Sequence, residues 1–287
     1  MDRVFNGLSP SSFSLFQGCQ RKYFYKKVAK LPVDSDAVED YSAFQIGKAF
    51  HQCLEDVKHE LKDYPLAEVA KVCENYGVTE ADSILMIFAM LGEYRKTHEK
   101  SGLRAIACEQ VIDTPAFYGI VDVVLEEKDG SWWIGDMKTA ATFYGLQEKT
   151  LQNHPQLNLY ARHYADIAAK LKIDPDGYRG CRYRVTTKSK LIQKKTEGAK
   201  EYIDRMAAGI KSLDFIIPKD FMRPEEFFKS HQAALRHIEE NSIKLDPEKF
   251  PQNFGNCTAY FRPCEYSSRC YGCNFTEGPK LEVVGNT

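Results

Sequence analysis

Two short runs hold the residue types most suited to chemistry, Gly119-Ile120-Val121-Asp122 and Gly135-Asp136-Met137-Lys138-Thr139. Both fall in segments that read as strands, 117–126 and 131–139, where Val, Ile, Tyr and Trp are prominent. Lys128-Asp129-Gly130 between them is a turn signal. A three-residue loop closing on a left-handed glycine pairs residue 127 with 131, and therefore Asp122 with Asp136. Directly opposed side chains share a face, with Cβ atoms roughly 4.5–5.5 Å apart. Asp136 and Lys138 also share a face, because strand side chains alternate. A two-residue loop would place the aspartates on opposite faces.

Two carboxylates so close are kept ionised most easily by a hard divalent cation, and oxygen ligands favour Mg²⁺ or Mn²⁺. Such an ion polarises a phosphoryl oxygen and activates water. Lys138 is placed to orient that water and to offset charge in the transition state. The chemistry is hydrolysis of phosphodiesters. The competing reading is a surface hairpin with ordinary salt bridges.

The elements around the hairpin must position these groups. Helices are expected at Ser9–Val28, with Ser9 capping and Pro10 in the first turn, and at 39–60 and 80–99. Strands follow at 104–112, 117–126 and 131–139, then a helix at Gln152–Leu171. Strands at 178–186 and 191–196 flank a turn at Thr186-Thr187-Lys188-Ser189, and helices at 198–212 and 223–243 complete the pattern. The fold class is α/β, a central mixed sheet flanked by helices. One domain is expected over 1–278, with a helical part (1–100), a catalytic core (101–197) and a carboxy-terminal part (198–278). Residues 279–287 read as a loose tail.

Nine cysteines form the second signal, and Cys257, Cys264, Cys270 and Cys273 crowd the carboxy-terminal end. The number is odd, and no signal peptide or long apolar run is apparent, so a secreted disulfide framework and a membrane span are not expected. Clustered thiols in a reducing compartment point to metal, and thiolates suit iron–sulfur or zinc equally. Free buried thiols are the remaining reading. Cys53, Cys73, Cys108 and Cys181 read as small hydrophobes.

The chain carries 39 basic and 40 acidic residues, a net charge of −1, so nucleic-acid binding must come from local patches. One runs through Arg21, Lys22, Lys26, Lys27 and Lys30, interleaved with Tyr23, Phe24 and Tyr25. Another spans Arg182, Arg184, Lys188, Lys190, Lys194 and Lys195. Either suits a phosphate backbone, and the aromatics suit unpaired bases. The alternative is core aromatics and a solvated strand edge. No GxxxxGK[ST] phosphate loop is present, so any unwinding falls to a partner.

Further residues complete a known order: Leu8-Ser9-Pro10 and Gly18-Cys19-Gln20 near the amino end, Gly47-Lys48-Ala49-Phe50-His51, Glu109, and Gln156-Leu157-Asn158-Leu159-Tyr160 after the hairpin. The whole resembles the PD-(D/E)xK nuclease superfamily, in particular its RecB-like exonuclease branch, which includes the CRISPR-adaptation nucleases and many phage exonucleases. The resemblance implies that His51, Asp122 and Asp136 bind metal, with Glu109 as a less direct contributor. It implies Lys138 as the catalytic lysine and Gln156 and Tyr160 as the QxxxY pair beside the site. It further implies a [4Fe–4S] cluster on Cys19, Cys264, Cys270 and one more cysteine. Cys257, separated from Cys264 by six intervening residues, is preferred to Cys273 for that last place. A four-cysteine Zn²⁺ site is the alternative. The expected activity is a metal-dependent DNA exonuclease acting on single- or double-stranded DNA, in phage or bacterial recombination or processing. A helicase or recombination partner and a cytoplasmic location go with it. A structure-specific endonuclease and a non-catalytic nucleic-acid-binding protein on the same fold are the alternatives.

Overall fold

A computed structural model describes residues 8–33, 41–59, 64–115, 117–242, 246–257 and 264–271. Cys273 and the tail 279–287 lie outside these residues. In chain order the elements are α1 (Pro10–Gly18), α2 (Gln20–Tyr23) continuing as a π-turn (Phe24–Val28), α3 (Tyr41–Asp56), α4 (Leu66–Asn75) and α5 (Ala81–Ser101). β1 (Arg104–Asp113), β2 (Tyr118–Glu126) and β3 (Trp132–Ala140) follow, then α6 (Glu148–Leu151), α7 (Pro155–Arg162) and α8 (Tyr164–Leu171). The rest comprises β4 (Tyr178–Thr187), α9 (Ala199–Gly209), β5 (Ser212–Pro218), α10 (Pro224–Ser242) and α11 (Ser267–Tyr271).

The chain divides into two compact units, Met1–Pro10 with Asp40–Gln232, and Ser11–Glu39 with Ala233–Thr287. The first contains a five-stranded sheet in the order β1-β2-β3-β4-β5. Only β3 and β4 are parallel. A parallel pair needs a long crossover, and α6, α7 and α8 supply it. The mixed sheet flanked by helices is the expected fold class.

The β2–β3 turn closes as the sequence predicts. Gly130 has φ of 84°, and the Glu127 amide donates to the Ser131 carbonyl at 2.8 Å. The same register continues through Glu126–Trp132 to Val123–Gly135. Alternation sends Val123, Leu125, Trp133 and Met137 into a core with Phe50 and Cys53 of α3, Cys73 of α4, Ile87 and Met90 of α5, and Tyr202 and Met206 of α9. Burying side chains of this size contributes roughly 1.5–3 kcal/mol each.

Several expected elements differ. The helix at 9–28 breaks at Cys19, whose backbone is extended, and its last turns are π-helical. The helix at 152–171 is broken at His163. Residues 191–196 form no strand: Leu191 and Ile192 are exposed and have no apolar layer to cover. The strand beside β4 is instead β5, drawn from the stretch between the two helices expected at 198–212 and 223–243. The short helix α4 was not anticipated; it buries Val69, Val72 and Cys73.

The arginines of the second basic run are internal. Arg184 is 1% exposed and grips Asp214 through Nε and Nη2, both at 2.6 Å. Its Nη1 lies 3.1 Å from His98 Nδ1, and its guanidinium sits over the Tyr94 ring. Arg182 also pairs with Asp214, at 3.3 Å. Buried ions persist only when paired like this, so neither arginine is offered to a phosphate.

In the second unit the amino-terminal aromatics are likewise core. Tyr23, Phe24 and Tyr25 are buried; Phe24 packs on Phe250 and Tyr25 on Tyr266. Arg21 donates to the Phe250 carbonyl at 2.8 Å, and Lys22 and Lys26 both reach Glu265, at 3.3 and 3.0 Å. The first basic run is therefore spent largely on internal pairing.

Candidate active site

The site lies where the sheet forks. β2 stays paired with β1 down to Tyr118, and β3 stays paired with β4 up to Ala140. Pairing between β2 and β3 stops at Val123–Gly135. One residue further on stand Asp122 and Asp136, in the register the sequence predicts but beyond the last backbone pair. There the Asp122 side chain replaces the ladder: its Oδ2 accepts from the Met137 amide at 2.7 Å. Asp136 is fully buried, and Lys138 Nζ lies 2.9 Å from each of its carboxylate oxygens. Only Oδ1 receives a well-formed hydrogen bond; Oδ2 is buried without one. The charge on that oxygen is offset by the Lys138 ammonium beside it.

α3 brings His51 to the fork, with Nδ1 3.9 Å from Asp122 Oδ2. Gly47, one turn earlier, permits this approach, since a Cβ there would meet Thr139 Oγ1 at 3.2 Å. Glu109 of β1 faces the same cleft, and its φ of 46° is a strained value for a non-glycine in a strand. The cleft measures about 720 Å³ and is lined by His51, Glu55, Glu109, Asp122, Lys138 and Lys188 among others.

Gln156 and Tyr160 meet on α7, Gln156 Nε2 donating to the Tyr160 hydroxyl at 3.1 Å. That hydroxyl donates in turn to the Ile120 carbonyl, two residues before Asp122. Tyr160 is buried, so in this arrangement it holds the strand that carries Asp122. Gly119 makes room for it: a Cβ there would lie 2.9 Å from the Tyr160 ring and 2.7 Å from Phe117.

Protonation follows from burial and neighbours. Burial pushes the Asp122 and Asp136 carboxyls up, against the pull of Lys138. Burial opposes the Lys138 ammonium too, but Asp136 and Asp122 outweigh it and hold its pKa well above the ordinary lysine value. His51 is lowered to about 4 by burial and by Lys138, so its imidazole is neutral near pH 7. Burial, with Asp122 and Glu55 close by, raises Glu109 to about 7.

A family model described as the PD-(D/E)XK nuclease superfamily matches residues 7–271. The chain belongs to the PD-(D/E)XK nuclease superfamily. A solved structure, the crystal structure of SSO0001, aligns over 88% of this chain and 94% of its own at 12% identity and a TM-score of 0.29. No curated protein matches. Membership of the superfamily supports nuclease activity with DNA as substrate, and such nucleases typically use Mg²⁺ or Mn²⁺. No helix among the described residues is long and apolar enough to cross a membrane.

For a PD-(D/E)XK site the donor types, a neutral imidazole and two carboxylates, suit a hard divalent ion. Even so, among the described residues no three His, Cys, Asp or Glu side chains converge as a ready ligand set.

In the second unit, Cys19 Sγ accepts from the Asn253 amide at 3.5 Å, and Cys264 N–H donates to the Cys257 carbonyl at 2.7 Å. Cys19, Cys264 and Cys270 lie near enough to act on one another electrostatically. The Gln252 side chain donates to the Cys270 carbonyl at 3.4 Å. Among the described residues these thiols do not converge as a group of three that could hold a metal. The cysteines among the described residues are free thiols.

Sequence reasoning missed Glu55, four residues after His51 on the same helical face, where spacing alone could have found it. It also missed His154, the residue capping α7, whose buried Nδ1 has no partner and which senses both Asp136 and Lys138. Asn158, inside the QxxxY run, gave no signal. It is fully buried, donates to the Gln152 and His154 carbonyls at 2.8 and 3.0 Å, and accepts from the Arg223 amide at 2.8 Å.

Proposed function

We propose that the protein is a divalent-metal-dependent DNA exonuclease of the RecB-like branch. The observation that carries the reading is the sheet fork, which gathers Asp122, buried Asp136 and Lys138 opposite His51. His51, Asp122 and Asp136 would hold Mg²⁺ or Mn²⁺, with Glu109 assisting. When bound, the ion supplies Lewis acidity toward the phosphoryl oxygen and a more acidic water. Lys138 neutralises Asp136 and presents its remaining N–H donors toward the cleft, where they orient the attacking water and stabilise charge on the phosphate. Gln156 and Tyr160 hold β2 so that Asp122 stays in place.

In the second unit, Cys19, Cys257, Cys264 and Cys270 would carry a [4Fe–4S] cluster, with Zn²⁺ the alternative for the same thiols. The whole of 1–278 is proposed to serve one nuclease function, in the cytoplasm of a bacterial or phage-infected cell, in recombination or DNA processing beside a helicase or recombination partner. Exonuclease and RecB-like character rest on the motif order, and a structure-specific endonuclease shares the same site chemistry.

End-labelled single- and double-stranded DNA and covalently closed circles, each with Mg²⁺ and Mn²⁺, test this. Linear DNA should be degraded and closed circles left intact. Asp136→Ala should lower turnover by roughly 10³-fold or more while DNA binding persists. Degradation surviving that substitution removes the site assignment; cutting of closed circles replaces the exonuclease by the endonuclease.

A further inference from the structure

The cleft has a chemical gradient along α3 that phosphodiester hydrolysis does not use up. Phe44, Lys48, His51 and Glu55 recur every three or four residues and all line it. The Glu55 end is acidic, with Glu109 and Asp122. The other end carries an aromatic ring, Phe44, and two cations, Lys48 and Lys188. Phe44 is 59% exposed, so it contributes little to folding. Lys48 Nζ sits 4.5 Å above its ring, a cation–π contact that braces the side chain. Lys188 Nζ donates to the Ala43 carbonyl at 2.7 Å, which fixes a second positive charge beside the ring. The close seat of Gly47 against Thr139 places this end of α3 next to the strand bearing Lys138.

We infer that Phe44 is a base-stacking platform for the nucleotide flanking the scissile phosphate, with Lys48 and Lys188 holding the adjoining backbone. The inference rests on the nuclease reading of the same cleft and adds to it the residue that chooses the strand. Aromatic rings accept the face of any base, whatever its identity. A base inside a duplex has both faces covered by its neighbours, so only an unpaired or frayed nucleotide can lie on Phe44. The two ammonium groups complement its phosphates. The platform therefore favours single-stranded ends without favouring a sequence.

The test uses Asp136→Asn protein, which binds without cutting, and single-stranded oligonucleotides carrying one 2-aminopurine at successive positions. One position should be quenched on binding. Phe44→Ala should abolish that quench and weaken binding about tenfold, and Phe44→Trp should preserve both. An abasic nucleotide at the same position should weaken binding to Phe44-containing protein about tenfold and cost Phe44→Ala protein nothing more. Unchanged quench and affinity in Phe44→Ala, or an equal abasic penalty in both proteins, overturns the platform. A large drop in melting temperature on Phe44→Ala also overturns it, because the ring would then be structural. If Asp136→Ala protein still degrades DNA, the nuclease reading itself fails; if Asp136→Ala is inactive and Phe44→Ala behaves as wild type, only the platform is lost.

Discussion

The two groups of chemistry-bearing residues are held in opposite ways. In the first unit, backbone pairing does most of the positioning: Asp122 and Asp136 stand one step beyond a regular β-ladder, and each has a protein donor. In the second unit the cysteines sit on short turns and helix ends. Residues 18–26 are joined there to 250–257 and 264–266 by side chains, among them Asn253 and Asn256 donating to the Gly18 carbonyl and Lys26 reaching Glu265. Positions fixed by a sheet are set by the fold. Thiols fixed by turns gain most from a ligand that binds them together. The fork should keep its geometry without an ion, whereas the cysteine set should depend on what it binds.

Replacing cysteines breaks or sharpens that contrast most. With Cys19 a ligand of the proposed cluster, Cys19→Ala should abolish metal binding there and lower the melting temperature of the protein by roughly 10 °C or more. Cys53→Ala, in the core of the first unit, should leave metal content unchanged and cost about 1 kcal/mol. Metal analysis of anaerobically purified protein, absorbance near 400 nm and thermal melts provide the readings. Equal effects from the two substitutions would mean that the carboxy-terminal thiols are ordinary packing. Stoichiometric zinc without colour would replace iron by zinc.

The same contrast governs what was legible in the sequence. The hairpin was readable because three local signals agree: alternating apolar residues, a Lys-Asp-Gly turn, and a glycine free to take positive φ. Register then followed from loop length alone. The fork was not readable, because the end of a ladder depends on what enters beside it, here the Asp122 side chain and α3. Which basic residues turn inward was not readable, because charge along the chain says nothing of a distant partner. Asp214 lies 30 residues from Arg184, and Glu265 lies 239 from Lys26. His51 was legible only through motif order. A lone helical histidine carries no sign of the strand it will face.

At the fork itself, Tyr160→Phe tests whether backbone positioning is as decisive as the contrast holds. The substitution keeps the ring and removes only the hydroxyl that donates to the Ile120 carbonyl and accepts from Gln156. Stability should fall by about 1–2 kcal/mol for the lost buried hydrogen bond. Turnover should fall roughly 10- to 100-fold, because small displacements of a reacting group are expensive, while KM for DNA stays within about twofold. A rise in KM at constant turnover would show that Tyr160 binds substrate and does not position Asp122.

The smallest effect concerns how much strain the fork stores. Glu109 combines a φ of 46° with a pKa raised from 4.5 to about 7 by burial, Asp122 and Glu55. Between those two values the folded chain binds a proton that the unfolded chain has released, so stability falls as pH rises from about 4.5 to 7. Glu109→Gln removes the titration. Its stability advantage over wild type should grow across that window to on the order of 1 kcal/mol at pH 8, a value reduced for the solvent that reaches this half-buried group. His51 has the opposite sign. Its pKa is lowered from 6.5 to about 4 by burial and Lys138, so its contribution is present above 6.5 and is lost as pH falls through the window. His51→Gln should therefore change the acid side of the profile and Glu109→Gln the neutral side. Urea melts of both variants at several pH values read the two signs directly. Parallel profiles for wild type and variants would mean that neither group is held away from its ordinary pKa, and that the strain at the fork lies in the backbone alone.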